Sequence, residues 1–324
     1  MKNGNIRRGV IRISGICLLI SFAVGGCLCD DPKNDDPWDV STLVIFGNSP
    51  VFSPDGEMVA FIGDNGVSHG LWIYEFGVGI SLVLEGYYNY DYAWSPESDK
   101  IALSDPGGSF HNLLITDLEG NIEVIAENGK NPDWSPDGQY IVYQDGYGTG
   151  LYLVEAAGGT PSYLNSEGEN PRYSPDGSNI AFTVGVNMSS TIRIWNAAMG
   201  ASSMLVSGGP NFDWSPDGGS MVYDVHENLG SGGVNNIRVT QMINPDGDLI
   251  WQGGADPEFS PAGDLVVFRS YSGFSEGGIL VAPPNGGSAE LVSETGFTPS
   301  FGPNGDMIVF SIDNSGILLA VRND

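Results

Sequence analysis

The chain has 324 residues, with 40 acidic against 12 basic side chains, a formal charge of −28 at neutral pH, 47 glycines and 20 prolines. So acidic a surface repels phosphate backbones and anionic headgroups. That excludes nucleic acid as a partner and direct adsorption to an anionic bilayer, and the charge serves solubility. Cys17, Cys27 and Cys29 all lie in the first thirty residues, so the body of the chain holds neither a disulfide framework nor a thiolate metal site.

At the N-terminus, Lys2, Arg7, Arg8 and Arg12 precede an apolar run from Ile13 to Val24, too short to span a bilayer comfortably. This predicts a cleaved signal peptide over residues 1–26. Val24-Gly25-Gly26-Cys27 resembles the lipobox of bacterial lipoproteins. The resemblance implies cleavage before Cys27, a diacylglyceryl group on its sulfur and an acyl chain on its new amine. Several chains on one residue anchor far more firmly than one. Residues 27–39 are polar and rich in Asp, which predicts a disordered acidic tether. Leu28 follows Cys27, so the aspartate of the best-known inner-membrane retention signal is absent. The expected location is the bacterial cell envelope, with the outer membrane favoured, facing the periplasm or the cell surface.

From residue 40 onward one motif recurs, an aromatic followed by Ser-Pro-Asp-Gly or a near relative. It stands at Phe52, Trp94, Trp134, Tyr173, Trp214, Phe259 and Phe301, and its prolines are spaced by 42, 40, 39, 41, 45 and 42 residues. Proline presets φ for a turn, Asp tolerates the next position, and glycine takes the conformation that a β-carbon resists. The motif therefore reads as a hairpin turn. Short apolar runs follow each turn, such as Val59-Ala60-Phe61 and Ile308-Val309-Phe310, and predict strands packed on both faces. Third strands begin near Leu71, Leu113, Leu151, Ile192, Ile237, Ile279 and Ile317, but only six fourth strands follow them. The missing one is supplied by Ser41–Phe46, ahead of the first motif. The expected fold is all-β, a seven-bladed β-propeller of four-stranded blades, closed by the N-terminal strand completing the last blade.

These repeats resemble the TolB-type repeat, also called WD40-like or PD40, over residues 40–324. They lack the Gly-His and Trp-Asp signatures of WD40 proteins, and the helix-rich N-terminal domain of TolB has no counterpart here. The resemblance implies a non-enzymatic propeller that engages another envelope protein at its channel mouth, acting as a monomer held to the membrane through its lipid anchor only.

Before each innermost strand stands a polar residue: Ser49, Asp91, Asn131, Asn170, Asn211, Asp256 and Thr298. They predict a ring around the channel mouth, with Asp91, Asn131, Asn170, Asn211 and Asp256 as its binding members, suited to a cation such as Ca2+, a sugar or a basic peptide end. Turn capping before proline explains the same residues without a ligand. Tyr87, Tyr88 and Tyr90 form the densest aromatic patch, suited to a partner or a sugar, or to packing between blades. The loop around Asn228–Gly233 is a flexible insertion that suits a lid or contact arm. His69, His111 and His226 fall between second and third strands of separated blades, which argues against a joint metal site. Gly66-Val67-Ser68-His69-Gly70 and Gly273-Phe274-Ser275-Glu276-Gly277 match a hydrolase elbow but lack its strand-to-helix context. Asn244-Pro245-Asp246-Gly247-Asp248 reads as a hairpin turn, since the glutamate of a calcium loop is missing. No resident cofactor and no catalytic residue are expected. The alternative is a glycan-binding module or carbohydrate-active envelope enzyme using the same face.

Overall fold

The computed structural model describes residues 36–86, 92–105, 111–148, 150–185, 190–228, 233–242, 244–271, 277–313 and 316–323. Seven antiparallel sheets of four strands form a ring, and no helix occurs among the described residues. Blade 1 comprises Asn48–Phe52, Met58–Asp64, His69–Glu75 and Gly79–Glu85, ordered from the channel outward. The inner strands of blades 2 to 7 are Tyr92–Trp94, Gly129–Trp134, Glu169–Tyr173, Phe212–Trp214, Gly254–Phe259 and Phe297–Phe301. Blade 7 is completed by Trp38–Val44, which pairs antiparallel with Gly316–Arg322 from Trp38↔Arg322 to Val44↔Ile317. This closing strand begins at Trp38, earlier than the Ser41 expected. The indole of Trp38 is buried and donates to Glu290 Oε1 at 2.5 Å, which anchors the added residues to blade 6.

The turn motif works as its chemistry requires. In blade 1, Gly56 N–H donates to Ser53 O at 2.9 Å and Gly56 takes φ of 75°. Ser53 Oγ donates to Asp55 Oδ1 at 2.6 Å and accepts from Met58 N at 3.0 Å, so one hydroxyl ties both ends of the turn. Two degenerate copies are repaired in ways the motif alone conceals. Where Glu97 and Ala262 replace the aspartate, Ser95 and Ser260 donate instead to Asp99 and Asp264, each at 2.8 Å. Ser98 replaces glycine and still adopts the left-handed φ of 60°.

Second strands form the core, because each is covered by strands on both sides and by blades above and below. Val59, Ala60, Phe61, Ile308, Val309 and Phe310 have no exposed surface. Burial of each such Phe or Val contributes about 1.5–3 kcal/mol. In blade 5 the second and third strands lengthen to Ser220–Asn228 and Gly233–Gln241, so the insertion extends a hairpin; its tip, 229–232, lies outside the described residues. The Asn244–Asp248 segment is not the expected turn. It opens the outer strand Asn244–Gln252, and Asn244 already pairs with Gln241.

Candidate site at the channel mouth

Each inner strand must bend as it enters the channel, and the bend explains the polar residues there. Ser49, Asn131, Asn170, Asp256 and Thr298 have φ between 47° and 53° and each precedes a proline. At each of them the pairing with the second strand slips, between Asn48/Val51, Lys130/Asp133, Glu169/Arg172, Ala255/Glu258 and Phe297/Ser300. These are β-bulges whose left-handed residue is most easily an Asn or Asp. Asn211 differs, with neither the proline nor the left-handed φ.

The expected binding members are brought together in two pairs. Asn131 Nδ2 donates to Asn170 Oδ1 at 2.6 Å and to Gln144 Oε1 at 3.0 Å. Asn211 Nδ2 donates to Asp256 Oδ1 at 3.0 Å and to Asp224 Oδ2 at 2.9 Å. Thr298 Oγ1 meets Ser311 Oγ at 3.0 Å within its own blade. Asp91, Tyr87, Tyr88, Tyr90 and Cys27 lie outside the described residues.

Below this tier lies a charged row at the position before each motif aromatic. It reads Val51, Ala93, Asp133, Arg172, Asp213, Glu258 and Ser300 from blade 1 to blade 7. The row is legible by aligning the repeats, although the aromatic beside it draws the eye first. Its carboxylates have a structural task. Asp133 Oδ2 accepts from Tyr173 N at 2.7 Å, Asp213 Oδ2 from Phe259 N at 2.9 Å, and Glu258 Oε1 from Phe301 N at 2.7 Å, each reaching the next blade. Other junctions are joined in reverse by tryptophan. Trp94, Trp134 and Trp214 Nε1 donate to the carbonyls of Val51, Ala93 and Arg172 on the preceding blade, at 3.3, 3.1 and 3.3 Å. Between blades 7 and 1, Phe52, Val59 and Phe61 pack with Val309 and Ile317.

Desolvation raises the pKa of these acids. Burial pushes Asp133 and Asp213 up to about 6, with the Arg172 guanidinium opposing it in both. Glu258 rises to about 8 through burial and then the negative charge of Asp213. Asp224 reaches about 6 through burial, opposed by the Asn211 amide and reinforced by Asp256. Asp256 is raised by burial against the pull of Arg269.

A cavity of about 310 Å³ opens among Arg172, Asn211, Asp213, Asp256, Glu258 and Thr298. A neighbour of about 340 Å³ shares Asn211 and Asp256 and adds Asp224, His226 and Tyr271. Together they present carboxylates, one guanidinium and amides, a set suited to cationic or hydroxylated groups. Among the described residues no three His, Cys, Asp or Glu side chains are arranged to hold a metal ion. His69 opens a third strand and bonds Gly86 O through Nδ1 at 2.7 Å; His226 ends in a second strand and bonds Asn235 Oδ1 at 2.7 Å. Both were expected in loops, and the extended hairpins of their blades absorb them.

The fold and its mouth define a seven-bladed β-propeller with an acidic, one-sided channel. No family model and no curated protein matches the chain in sequence. Solved structures similar to it include TolB from Acinetobacter baumannii, with 23% identity and TM-score 0.56 over 72% of this chain; the match spans 63% of that TolB. An oligogalacturonate lyase in complex with manganese is 17% identical, with TM-score 0.69 over 88% of this chain and 93% of the lyase. The oligogalacturonate lyase from Vibrio parahaemolyticus is 16% identical, with TM-score 0.68 over 87% and 93%. Identities this low establish the shared fold, and a shared fold does not decide between binding and catalysis.

Proposed function

We propose that this chain is a non-enzymatic lipoprotein of the bacterial cell envelope, a TolB-type propeller that binds or scaffolds another protein through its channel mouth. The observation that carries this reading is the cavity that Asp256 of the Asn/Asp tier lines together with Arg172, Asp213 and Glu258 of the row below it. Glu258 keeps its proton up to about pH 8 and contributes no charge at neutrality, whereas Asp213, raised only to about 6, is ionised there and attracts a lysine, arginine or terminal amine that the charge of −28 steers inward. Cys27 is the lipid attachment point in this reading, residues 27–39 are the tether, and the propeller works as a monomer.

The test is affinity capture from envelope extracts with the soluble ring, beside an Asp213→Asn/Asp256→Asn variant. A partner held by the parent, released by salt and lost in the variant supports the reading. Equal retention by both forms overturns the mouth as the binding site. In cells, Cys27→Ser shifts the protein from the membrane to the soluble fraction; continued membrane association would refute the anchor.

A second reading, a carbohydrate-active enzyme, is favoured by one observation. Asp224 and Asp256 share the Asn211 amide and line one cavity, and a pair of carboxyl groups in one cavity is what glycoside cleavage employs. Product release from oligosaccharides that disappears in Asp224→Asn would establish it.

A further inference from the structure

A separate cavity of about 530 Å³ lies between blades 3 and 4, on the face that carries the motif turns and not on the face of the channel mouth. Its volume falls within the roughly 300–1,000 Å³ typical of small-molecule sites. Three aromatic side chains line it: Tyr140, Tyr173 and Trp195.

Two of these rings depart from the repeat. The motif aromatic is buried in six blades, as Phe52, Trp94, Trp134, Trp214, Phe259 and Phe301, whereas Tyr173 of blade 4 is only half-buried. Trp195, on the third strand Thr191–Asn196, pairs with Ile180 of the second strand Asn179–Val184. At that register the other blades place Tyr74, Thr116, Val154, Thr240, Ala282 and Ala320. All but Tyr74 are small and buried, and Tyr74 packs edge-on against Phe76. A half-buried indole is therefore not what closing a blade requires. The indole N–H groups of Trp38, Trp72, Trp94, Trp134, Trp214 and Trp251 all donate within the protein, and that of Trp195 does not. Tyr140 opens the second strand of blade 3 and is 36% exposed, while Leu153 and Ile180 complete the apolar lining.

The charge of the site is one-sided. Asp137 and Asp176, from successive motif turns, line the cavity, and no lysine, arginine or histidine does. Ser135 Oγ donates to Asp137 Oδ1 and Ser174 Oγ to Asp176 Oδ1, each at 2.6 Å, and these bonds hold both carboxyls below their ordinary pKa. The same two oxygens also accept from Gln139 N and Ser178 N, each at 3.0 Å. Carboxylates engaged in this way supply negative potential more readily than open acceptor positions. An anion is repelled. A small ammonium ion would surrender its hydration for few acceptors. A quaternary ammonium wears its charge under methyl groups, needs no acceptor, and is attracted by aromatic faces as well as by the carboxylates.

We propose that this cavity binds a quaternary ammonium group, with Tyr140, Tyr173 and Trp195 around its methyl shell and Asp137 and Asp176 supplying the opposite charge. Free solutes such as choline and the headgroup of phosphatidylcholine share that chemistry. The site is independent of the channel mouth and of any partner bound there.

The test is calorimetry of the full chain carrying Cys27→Ser, so that no lipid anchor contributes. The probes are tetramethylammonium and choline, beside ammonium and 3,3-dimethylbutan-1-ol, the uncharged isostere of choline. Both quaternary cations bind with Kd below about 1 mM, and both controls bind at least about tenfold more weakly, equal to about 1.4 kcal/mol. Trp195→Ala costs at least about tenfold in affinity. Alanine already stands at that register in blades 6 and 7, so the blade tolerates it. Tyr140→Ala, at an exposed position, weakens binding too and serves as the second variant. Asp256→Asn leaves it intact, which separates this site from the mouth. Cosedimentation with phosphatidylcholine vesicles assigns the source to a lipid headgroup, and choline binding without it assigns a free solute. Failure of both quaternary cations to bind, equal affinity for the uncharged isostere, or unchanged affinity in Trp195→Ala and Tyr140→Ala would overturn the proposal.

Discussion

Two arcs of one ring share a fold but not a chemistry. Through blades 7, 1 and 2 the position before the motif aromatic holds Ser300, Val51 and Ala93; through blades 3 to 6 it holds Asp133, Arg172, Asp213 and Glu258. Junctions in the first arc are made by packing or by a neutral indole donor. Three junctions in the second use a buried carboxylate, although Trp214 shows that the neutral arrangement also works there. A desolvated carboxylate is the more expensive way to satisfy one N–H group. The charged arc thus exceeds what closing the ring requires, and it borders the mouth cavity. On this asymmetry rests the proposal of a partner site at that side of the mouth.

The comparison can be broken most severely in the uncharged arc. Deleting Trp38–Val44 opens blade 7 and removes the buried Trp38, whose truncation alone is worth about 3–5 kcal/mol. The expected result is a fall in melting temperature larger than for any point variant, followed by circular dichroism; an unchanged transition would refute the closure. In the charged arc, Arg172→Met removes the cation whose field favours the ionised forms of Asp133 and Asp213. The loss is expected on the order of 2 kcal/mol at pH 8 and less at pH 5, where these acids protonate instead. Denaturant titration at the two pH values measures that difference.

Trp94→Phe keeps the ring but deletes the bond to Val51 O, so a loss of about 1 kcal/mol is expected in the same assay. Glu258→Gln tests the opposite kind of latch. The folded pKa of about 8 lies above the ordinary carboxylate value, so the folded state holds its proton more tightly than the unfolded chain. Its contribution is most favourable below the ordinary pKa and declines as pH rises to about 8. Asp133 and Asp213 act likewise up to about 6. The parent therefore melts lower at pH 8 than at pH 5, and Glu258→Gln, whose amide oxygen still accepts from Phe301, flattens that slope. The surface turn acids Asp137, Asp176 and Asp217 have the opposite sign: serine and backbone donors lower their pKa, so their support fades as pH falls below the ordinary carboxylate range. Smallest of all is Ala262→Asp, which restores the motif in blade 6. Because Asp264 already serves Ser260, a gain of no more than about 0.5 kcal/mol is expected, whereas a larger one would show that the substitute aspartate is a poor replacement.

By itself the sequence determined the architecture: seven turn motifs at a steady period, buried second strands and a final blade short of one strand. Those features are local, because a turn is specified by four or five neighbouring residues and a strand by its own apolar run. It also placed Asn131, Asn170, Asn211 and Asp256 at the mouth, since equivalent repeat positions occupy equivalent points of a ring. Only the tertiary structure decided how they meet. It made two amide-centred pairs of them, started the closing strand at Trp38, bent the inner strands through left-handed bulges, and set Asp99 and Asp264 to mend defective turns. It also decided that Asp133, Asp213 and Glu258 are buried latches with raised pKa values. Their partners lie 40, 46 and 43 residues away. Over such separations, desolvation and charge proximity depend on how one blade leans on the next, which no local pattern encodes.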